Sequence, residues 1–239
     1  MIFITGDTHA HFEHIFDFCE KMKGNISKDD IMIILGDVGL NYYLNQKDIK
    51  LKEKINNLPL TFFCIHGNHE ARPQKIKSYK ETEWHGGKVY IEEQFPSLIF
   101  AKDGEVYNFG EGFEKTLVIG GAYSVDKRYR LMMGYQWFPD EQPSKEIKEY
   151  VENQINKYNG KFDAILTHTT AEQFEPVEWF LTGLDQSTVD KSTEIWLNKI
   201  YNMVDFKIWY CGHYHGSKVR DCDGRPMRFM FNDIVVFGD

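Results

Sequence analysis

One shape recurs five times in this chain and constrains it more than any other feature: a short apolar run that stops at Asp, Asn or His. Ile2-Phe3-Ile4 leads into Gly6-Asp7-Thr8-His9, and Ile31 to Leu35 leads into Gly36-Asp37. Leu60 to Ile65 leads into Gly67-Asn68-His69-Glu70. Ala164-Ile165-Leu166 leads into Thr167-His168, and Ile208-Trp209-Tyr210 into Gly212-His213-Tyr214-His215. Short apolar runs without polar alternation read as strands buried on both faces. Five such strands, each delivering a polar group at its C-terminal end, should converge on one site. The donors are oxygen and imidazole, with no thiolate implied.

The segments between the runs fit a layered α/β fold. His11 to Met22 carries Phe12, Ile15, Phe16 and Cys19 at helical spacing, and Asn45 to Asn57 reads as a second helix ended by Pro59. Strand, helix, strand, helix, strand implies parallel strands with right-handed crossovers. From Trp84 to Ile119 the pieces are short and punctuated by glycine, which reads as an antiparallel meander. Ala122 to Pro143 is rich in Tyr, Arg, Met and Trp without a period, the texture of a functional loop. Ser144 caps a helix reaching about Tyr158, and Thr188 to Met203 reads as an amphipathic helix. Thr170 to Thr182 is ambiguous. The tail from Met227 to Phe237 reads as a hairpin turning at Asn232-Asp233. With 239 residues and no linker or repeat, residues 1–239 read as one domain.

Charge narrows the partners. The formal net charge of -8 leaves no basic stripe, which makes a polynucleotide an unexpected partner. No apolar run approaches the roughly 20 residues of a membrane span. The start, Met1 to Asp7, lacks the basic region and long apolar core of a signal peptide, so the expected location is the cytoplasm. The four cysteines form no CxxC pair, and Cys64 and Cys211 sit inside apolar runs, so all four are expected to be reduced and structural.

The donor set speaks for metal. Imidazole with carboxylate suits Zn, Fe, Mn or Ni, whereas carboxylates and water alone would suit Mg or Ca. In Asp7-Thr8-His9 alternate residues of an extended segment point the same way, so one strand end can offer a carboxylate and an imidazole to one ion. His213-Tyr214-His215 can offer two imidazoles. An isolated Asp-x-His says little; the ordered set of five is specific. His11, His14, His66 and His85 fall outside the pattern and read as surface or structural histidines.

The series Asp7-x-His9, Gly36-Asp37, Gly67-Asn68-His69-Glu70, His168 and Gly212-His213-x-His215 resembles the calcineurin-like metallophosphoesterase superfamily, over residues 3 to about 215. The segment from Gly120 to Lys127 and on through Pro143 is similar to a subgroup of small bacterial and phage metallophosphoesterases. The resemblance implies an α/β fold, a four-layer α/β/β/α sandwich, with a dinuclear centre at the strand ends. By matching position, Asp7, His9 and His215 would hold one divalent ion. Asn68, His168 and His213 would hold the other, and Asp37 would bridge them. The ions would be two of Mn, Fe, Zn or Ni, with Mn the choice in vitro. An activated hydroxide would hydrolyse a phosphomonoester or phosphodiester, and His69 would be the non-ligand general acid.

The chain departs from the protein Ser/Thr phosphatase branch at its second motif. Gly36-Asp37-Val38-Gly39-Leu40-Asn41 lacks that branch's carboxylate partner for the catalytic histidine and its phosphate-binding arginine. Arg72, Arg128 and Arg130 are then the candidate phosphate clamps, with Asn68 also facing substrate. Tyr123, Tyr135 and Trp137 could form a platform for a nucleobase or could simply pack the loop. The expected substrate is small and phosphorylated, with nucleotides and phosphoproteins as candidates. The alternative is a non-catalytic metal-binding interaction module with the same fold. Loss of turnover should erode the ligands, and every expected ligand is present.

Overall fold

The computed structural model describes residues 1–183 and 185–239. In chain order its first half contains β1 (Ile2–Thr5), α1 (Glu13–Lys21), β2 (Ile31–Ile34), α2 (Gln46–Asn56), β3 (Thr61–Cys64), β4 (Tyr79–Trp84), β5 (Gly87–Glu92), β6 (Leu98–Ala101), β7 (Val106–Tyr107) and β8 (Thr116–Ile119). The second half contains α3 (Lys127–Met133), α4 (Lys145–Lys157), β9 (Ala164–Thr167), α5 (Ser192–Met203), β10 (Ile208–Cys211), β11 (Lys218–Cys222), β12 (Arg225–Phe229) and β13 (Val235–Val236). They build two mixed sheets, ordered β13-β1-β2-β3-β6-β5-β4 and β11-β12-β10-β9-β8-β7.

The apolar runs lack polar alternation because both faces of each strand are covered, and period two divides them between two cores. In the first sheet Ile4, Ile33 and Phe63 point inward, where they meet Val118, Leu166 and Tyr210 of the second sheet. Phe3, Met32 and Phe62 point outward and take up Phe12, Ile15 and Cys19 of the α1 region and Ile55 of α2. On the far side Leu117, Ile165 and Trp209 take up Val151 and Ile155 of α4 with Trp196 and Ile200 of α5. The result is helices, sheet, sheet, helices, the four layers expected. Each fully buried Leu, Ile or Phe contributes roughly 1.5–3 kcal/mol of transfer free energy, so the three cores hold the strand ends rigidly.

Register puts the polar ends together. Thr5 pairs with Ile34 and Ile34 with Cys64, all in parallel. Ile119 pairs with Thr167 and Thr167 with Cys211, also in parallel. The residues that follow therefore leave each sheet side by side.

Several boundaries differ from expectation. The stretch from Trp84 to Ile119 is not one meander. β4, β5 and β6 pair antiparallel, but β6 joins β3 in parallel, while β7 and β8 pair in the opposite sheet. The C-terminal hairpin is β11 with β12, turning at Asp223-Gly224, and β13 crosses to pair with β1. Asn232-Asp233 is thus a crossing between sheets. The aperiodic segment after Ala122 contains the short helix α3, which buries no residue. Ser144 does cap α4, its hydroxyl accepting from the Ile147 N–H at 3.3 Å. All four cysteines are free and buried. Among the described residues no helix is long and apolar enough to cross a membrane.

Candidate metal centre

The polar strand ends turn sharply, and the strain falls on the functional residues themselves. His9, Asp37, His213 and His215 all have positive φ, between 46° and 70°. For residues with a Cβ this region costs on the order of 1–3 kcal/mol each, and the surrounding fold must impose it. The neighbouring glycines serve mainly close approach. A Cβ on Gly67 would collide with the Asp37 carboxylate, and one on Gly212 with the Asp7 carboxylate.

Two donor clusters result. In the first, His9 Nε2 and His215 Nε2 lie 2.8 Å apart, with Asp7 Oδ2 at 3.9 and 3.4 Å from them. The second joins Asp7, Asp37 and His168, all buried. Here His168 Nε2 lies 3.6 Å from Asp37 Oδ1 and 2.8 Å from Asn68 Oδ1. Asp37 faces both clusters, because its other oxygen, Oδ2, is 3.7 Å from His9 Nε2. Asp7 is braced by the His213 N–H, which donates to both its carboxylate oxygens at 3.0 Å. The His213 ring stands 5.0 Å from that of His168. Its nitrogens are not among those that already converge in the two clusters of described residues.

Hydrogen-bond polarity shows why cations fit this arrangement. His168 Nδ1 lies 2.7 Å from the Leu35 carbonyl, which can only accept, so that nitrogen carries the proton. Nε2 of a neutral ring then presents a lone pair to Asn68 Oδ1, which also accepts. The amide orientation is fixed as well. The Ser124 hydroxyl donates to Glu141 Oε2 at 2.5 Å and so accepts from Asn68 Nδ2 at 3.0 Å. Two acceptors held head-on at 2.8 Å repel each other unless a proton or a metal ion lies between them. Burial, then the neighbouring His168, pushes the His213 imidazole down to about 3, the neutral form a metal requires. Burial would raise the Asp37 carboxyl, but His69, His168 and His9 outweigh it and hold the group well below the usual carboxylate range.

His69 stands beside the clusters. Its N–H donates to Asp37 Oδ1 at 2.7 Å, and its Nε2 is 3.9 Å from Asp37 Oδ2. Arg130 Nη2 approaches His69 Nε2 at 3.4 Å, while its Nε donates to both oxygens of Asp126 at 2.8 and 2.9 Å. Arg130 thus stands next to His69 at the edge of the clusters. Arg72, another expected clamp, is held by internal partners. Its guanidinium is buried, with Nη1 on Asp103 at 2.5 Å and Nε donating to the Asp140 carbonyl at 2.7 Å. Arg128 is exposed on α3. The aromatic platform is also rearranged. Tyr123 lines the cavity beside the centre. Trp137 instead donates to Glu141 Oε2 at 2.8 Å, and Tyr135 packs near Tyr129. Of the four histidines outside the pattern, His66 is fully buried, and neither of its ring nitrogens finds a partner among the described residues.

The groups that position the ligands leave little trace in the sequence. Ser124 and Glu141 lie in an aperiodic loop and orient Asn68 from a distance along the chain. Glu70 was visible as the end of Gly-Asn-His-Glu, and its role is now concrete. Oε1 accepts from the Val38 and Gly67 N–H groups at 3.3 and 3.2 Å, tying the turns after β2 and β3 together. Burial, with Asp37 nearby, pushes its carboxyl up to about 8.

Comparison with known proteins agrees with this geometry. A family model described as calcineurin-like phosphoesterase matches residues 1–217. Among solved structures, TT1561 of Thermus thermophilus is similar, at 12% identity and a TM-score of 0.52. The match covers 95% of this chain and 87% of that one. Phosphopantetheinyl hydrolase (PptH) from Mycobacterium tuberculosis aligns at 14% identity and a TM-score of 0.45, over 96% of this chain and 89% of that one. At 12% identity the likeness to TT1561 is one of fold. No curated protein matches the sequence.

Proposed function

The chain belongs to the calcineurin-like phosphoesterase family, a hydrolase acting on phosphoric ester bonds, and on that footing we propose that its strand ends hold two divalent cations to cleave a small phosphoester. One ion belongs with Asp7, His9 and His215. The other belongs with His168, Asn68 and, after a small rotation of its ring, His213. The observation that carries this reading is Asp37, whose two oxygens face the two clusters at 3.7 and 3.6 Å. When bound, such ions supply Lewis acidity and lower the pKa of coordinated water towards neutrality.

The chain's own residues do the rest. Asp7 and Asp37 bring negative charge into a buried pocket and hold the imidazoles in their ligating orientation. Arg130, steered by Asp126, neutralises the non-bridging oxygens of the phosphate. That contact draws its guanidinium away from His69, and the released Nε2 can then hold the proton that passes to the leaving oxygen. Glu70 keeps the two turns in register while this happens.

The test is hydrolysis of p-nitrophenyl phosphate and bis-p-nitrophenyl phosphate by the Mn-loaded protein, with and without chelator. Chelator-sensitive turnover of either ester is expected, and the preferred ester shows whether monoesters or diesters are the substrates. Turnover that survives complete removal of metal would refute the proposal.

A further inference from the structure

A cavity of about 440 Å³ opens directly beside the centre, a size usual for small-molecule sites. Asp37, Asn68, His69 and His215 bound one end of it. Most of the remaining wall is apolar. Trp179, Phe180 and Leu181 come from the segment after β9, Tyr214 from the turn after β10, and Tyr123 and Val125 from the loop after β8. None of these six is buried, so each keeps surface that a ligand can touch. The Tyr214 hydroxyl is already engaged by that of Thr169, at 3.0 Å.

The apolar surface does not stop at the cavity. A second depression, of about 470 Å³, adjoins it. Val125, Asp126 and Leu181 border both, and Arg128, Tyr129 and Met132 of α3 complete the second. Leu181 is 65% exposed and Met132 73%. A side chain as open as Leu181 stands on the rim the two depressions share, and a flexible ligand can pass over it. Together they make a trough that starts at the donor clusters and ends on α3. Single exposed apolar residues are ordinary, but a contiguous apolar strip leading out of a polar site marks a ligand groove.

The trough offers a ligand few polar partners. Its inner part has no Lys or Arg among the described lining residues, so a second phosphate finds no counter-charge there. Its carboxyl groups are engaged or out of reach. Asp126 accepts from Arg130 Nε at 2.8 and 2.9 Å, Glu175 accepts from Lys191 at 2.6 Å, and Glu194 is only 4% exposed. A hydroxyl-rich alcohol such as a sugar would give up bonds to water there and regain few. Methylenes give up nothing but contact with water.

We propose that the trough takes the alcohol part of the substrate, and that this part is a long apolar chain running from the centre past Val125 and Phe180, over Leu181, to Met132. The proposal rests on the phosphoesterase reading and supplies its substrate class. It makes Leu181 and Met132, which touch no group of the metal centre, determinants of specificity.

The test is a series of n-alkyl phosphates from propyl to octyl, below their micelle concentrations, on the Mn-loaded protein. They are taken as monoesters or methyl diesters according to the class cleaved. The parent alcohols have nearly the same acidity, so a gain with length reports contact rather than leaving-group chemistry. Each fully buried methylene should raise kcat/KM about fourfold, the equivalent of about 0.8 kcal/mol. Half-burial, about twofold each, still gives about 30-fold from propyl to octyl. In Leu181→Asp and Met132→Asp the octyl ester should lose at least about tenfold, the worth of two or more buried methylenes, while the propyl ester stays near wild type. Calorimetric titration with octylphosphonate and propylphosphonate, which have no ester to lose, should show the same preference in wild type and its loss in Leu181→Asp. A flat series with chelator-sensitive turnover, or equal losses on both esters in the variants, would overturn the trough and leave the phosphoesterase reading standing. Length-dependent phosphonate binding without turnover of any ester would keep the trough and overturn that reading instead.

Discussion

The strand ends and the loops around them solve opposite problems. Asp7, His9, Asp37, His168 and His213 leave short strands fixed between two cores, and four site residues tolerate positive φ because the sheets impose it. The loop over residues 122–143 and the described residues of 170–191 have little core of their own; α3 buries no residue and leaves Leu131, Met132 and Met133 exposed. Rigid elements place the candidate ligands, where small errors in position are expensive. Irregular segments shape the cavity, where one sequence can differ from another without disturbing the sheets. A tie between the two regions is the chain from Trp137 through Glu141 and Ser124 to Asn68.

The largest effect should come from the group both clusters share. Asp37→Asn should reduce turnover to background, a loss of at least about 10³-fold, because Lewis-acid stabilisation contributes several kcal/mol; steady-state assays on the Mn-loaded variant measure it. His69→Ala should lower kcat by about 10²–10⁴-fold while metal content stays near wild type. Loss of metal in that variant would move His69 from proton donor to ligand. Arg72→Ala sharpens the comparison from the other side. It strands Asp103 as a buried charge and should cost about 3–5 kcal/mol in denaturant unfolding, with kcat of the folded fraction close to wild type. A selective fall in kcat would reinstate Arg72 as a substrate contact.

Smaller effects probe the tie between the regions. Ser124→Ala frees the Asn68 amide and should weaken binding of the second ion by about 10–100-fold, read by metal titration. If affinity is unchanged, the loops and the strand ends act independently. The smallest effect belongs to Glu194. Its carboxyl is raised by burial to about 7, so on raising pH the unfolded chain releases this proton first. Native stability then falls as pH climbs from about 4.5 through 7. Glu194→Gln removes that dependence, and its Tm advantage over wild type in metal-free protein should grow between pH 5 and 8. An advantage independent of pH would mean the carboxyl is not buried as described.

The same division decides what could be read in advance. The fold and the convergence of the polar strand ends were legible because they depend on local signals: an apolar run, then Gly with Asp, Asn or His. The pairing of Arg72 was not legible because it stands two residues after Glu70, close in sequence to the centre, and only tertiary structure shows Asp103 beside its Nη1. Ser124 and Glu141 were invisible because hydrogen bonds to Asn68 across 56 residues leave no periodic trace. The β7 and β13 pairings were missed for a similar reason. A strand's own sequence does not say which of two sheets it will join, and both strands follow a connection that passes from one sheet to the other.

The most direct test of the central claim is metal stoichiometry, by elemental analysis after Mn loading and desalting, for wild type beside Asp37→Asn. The account predicts two ions per wild-type chain and a clear loss in the variant, because one carboxylate faces both donor clusters. One ion or none in the wild type, or a count indifferent to Asp37, would contradict it.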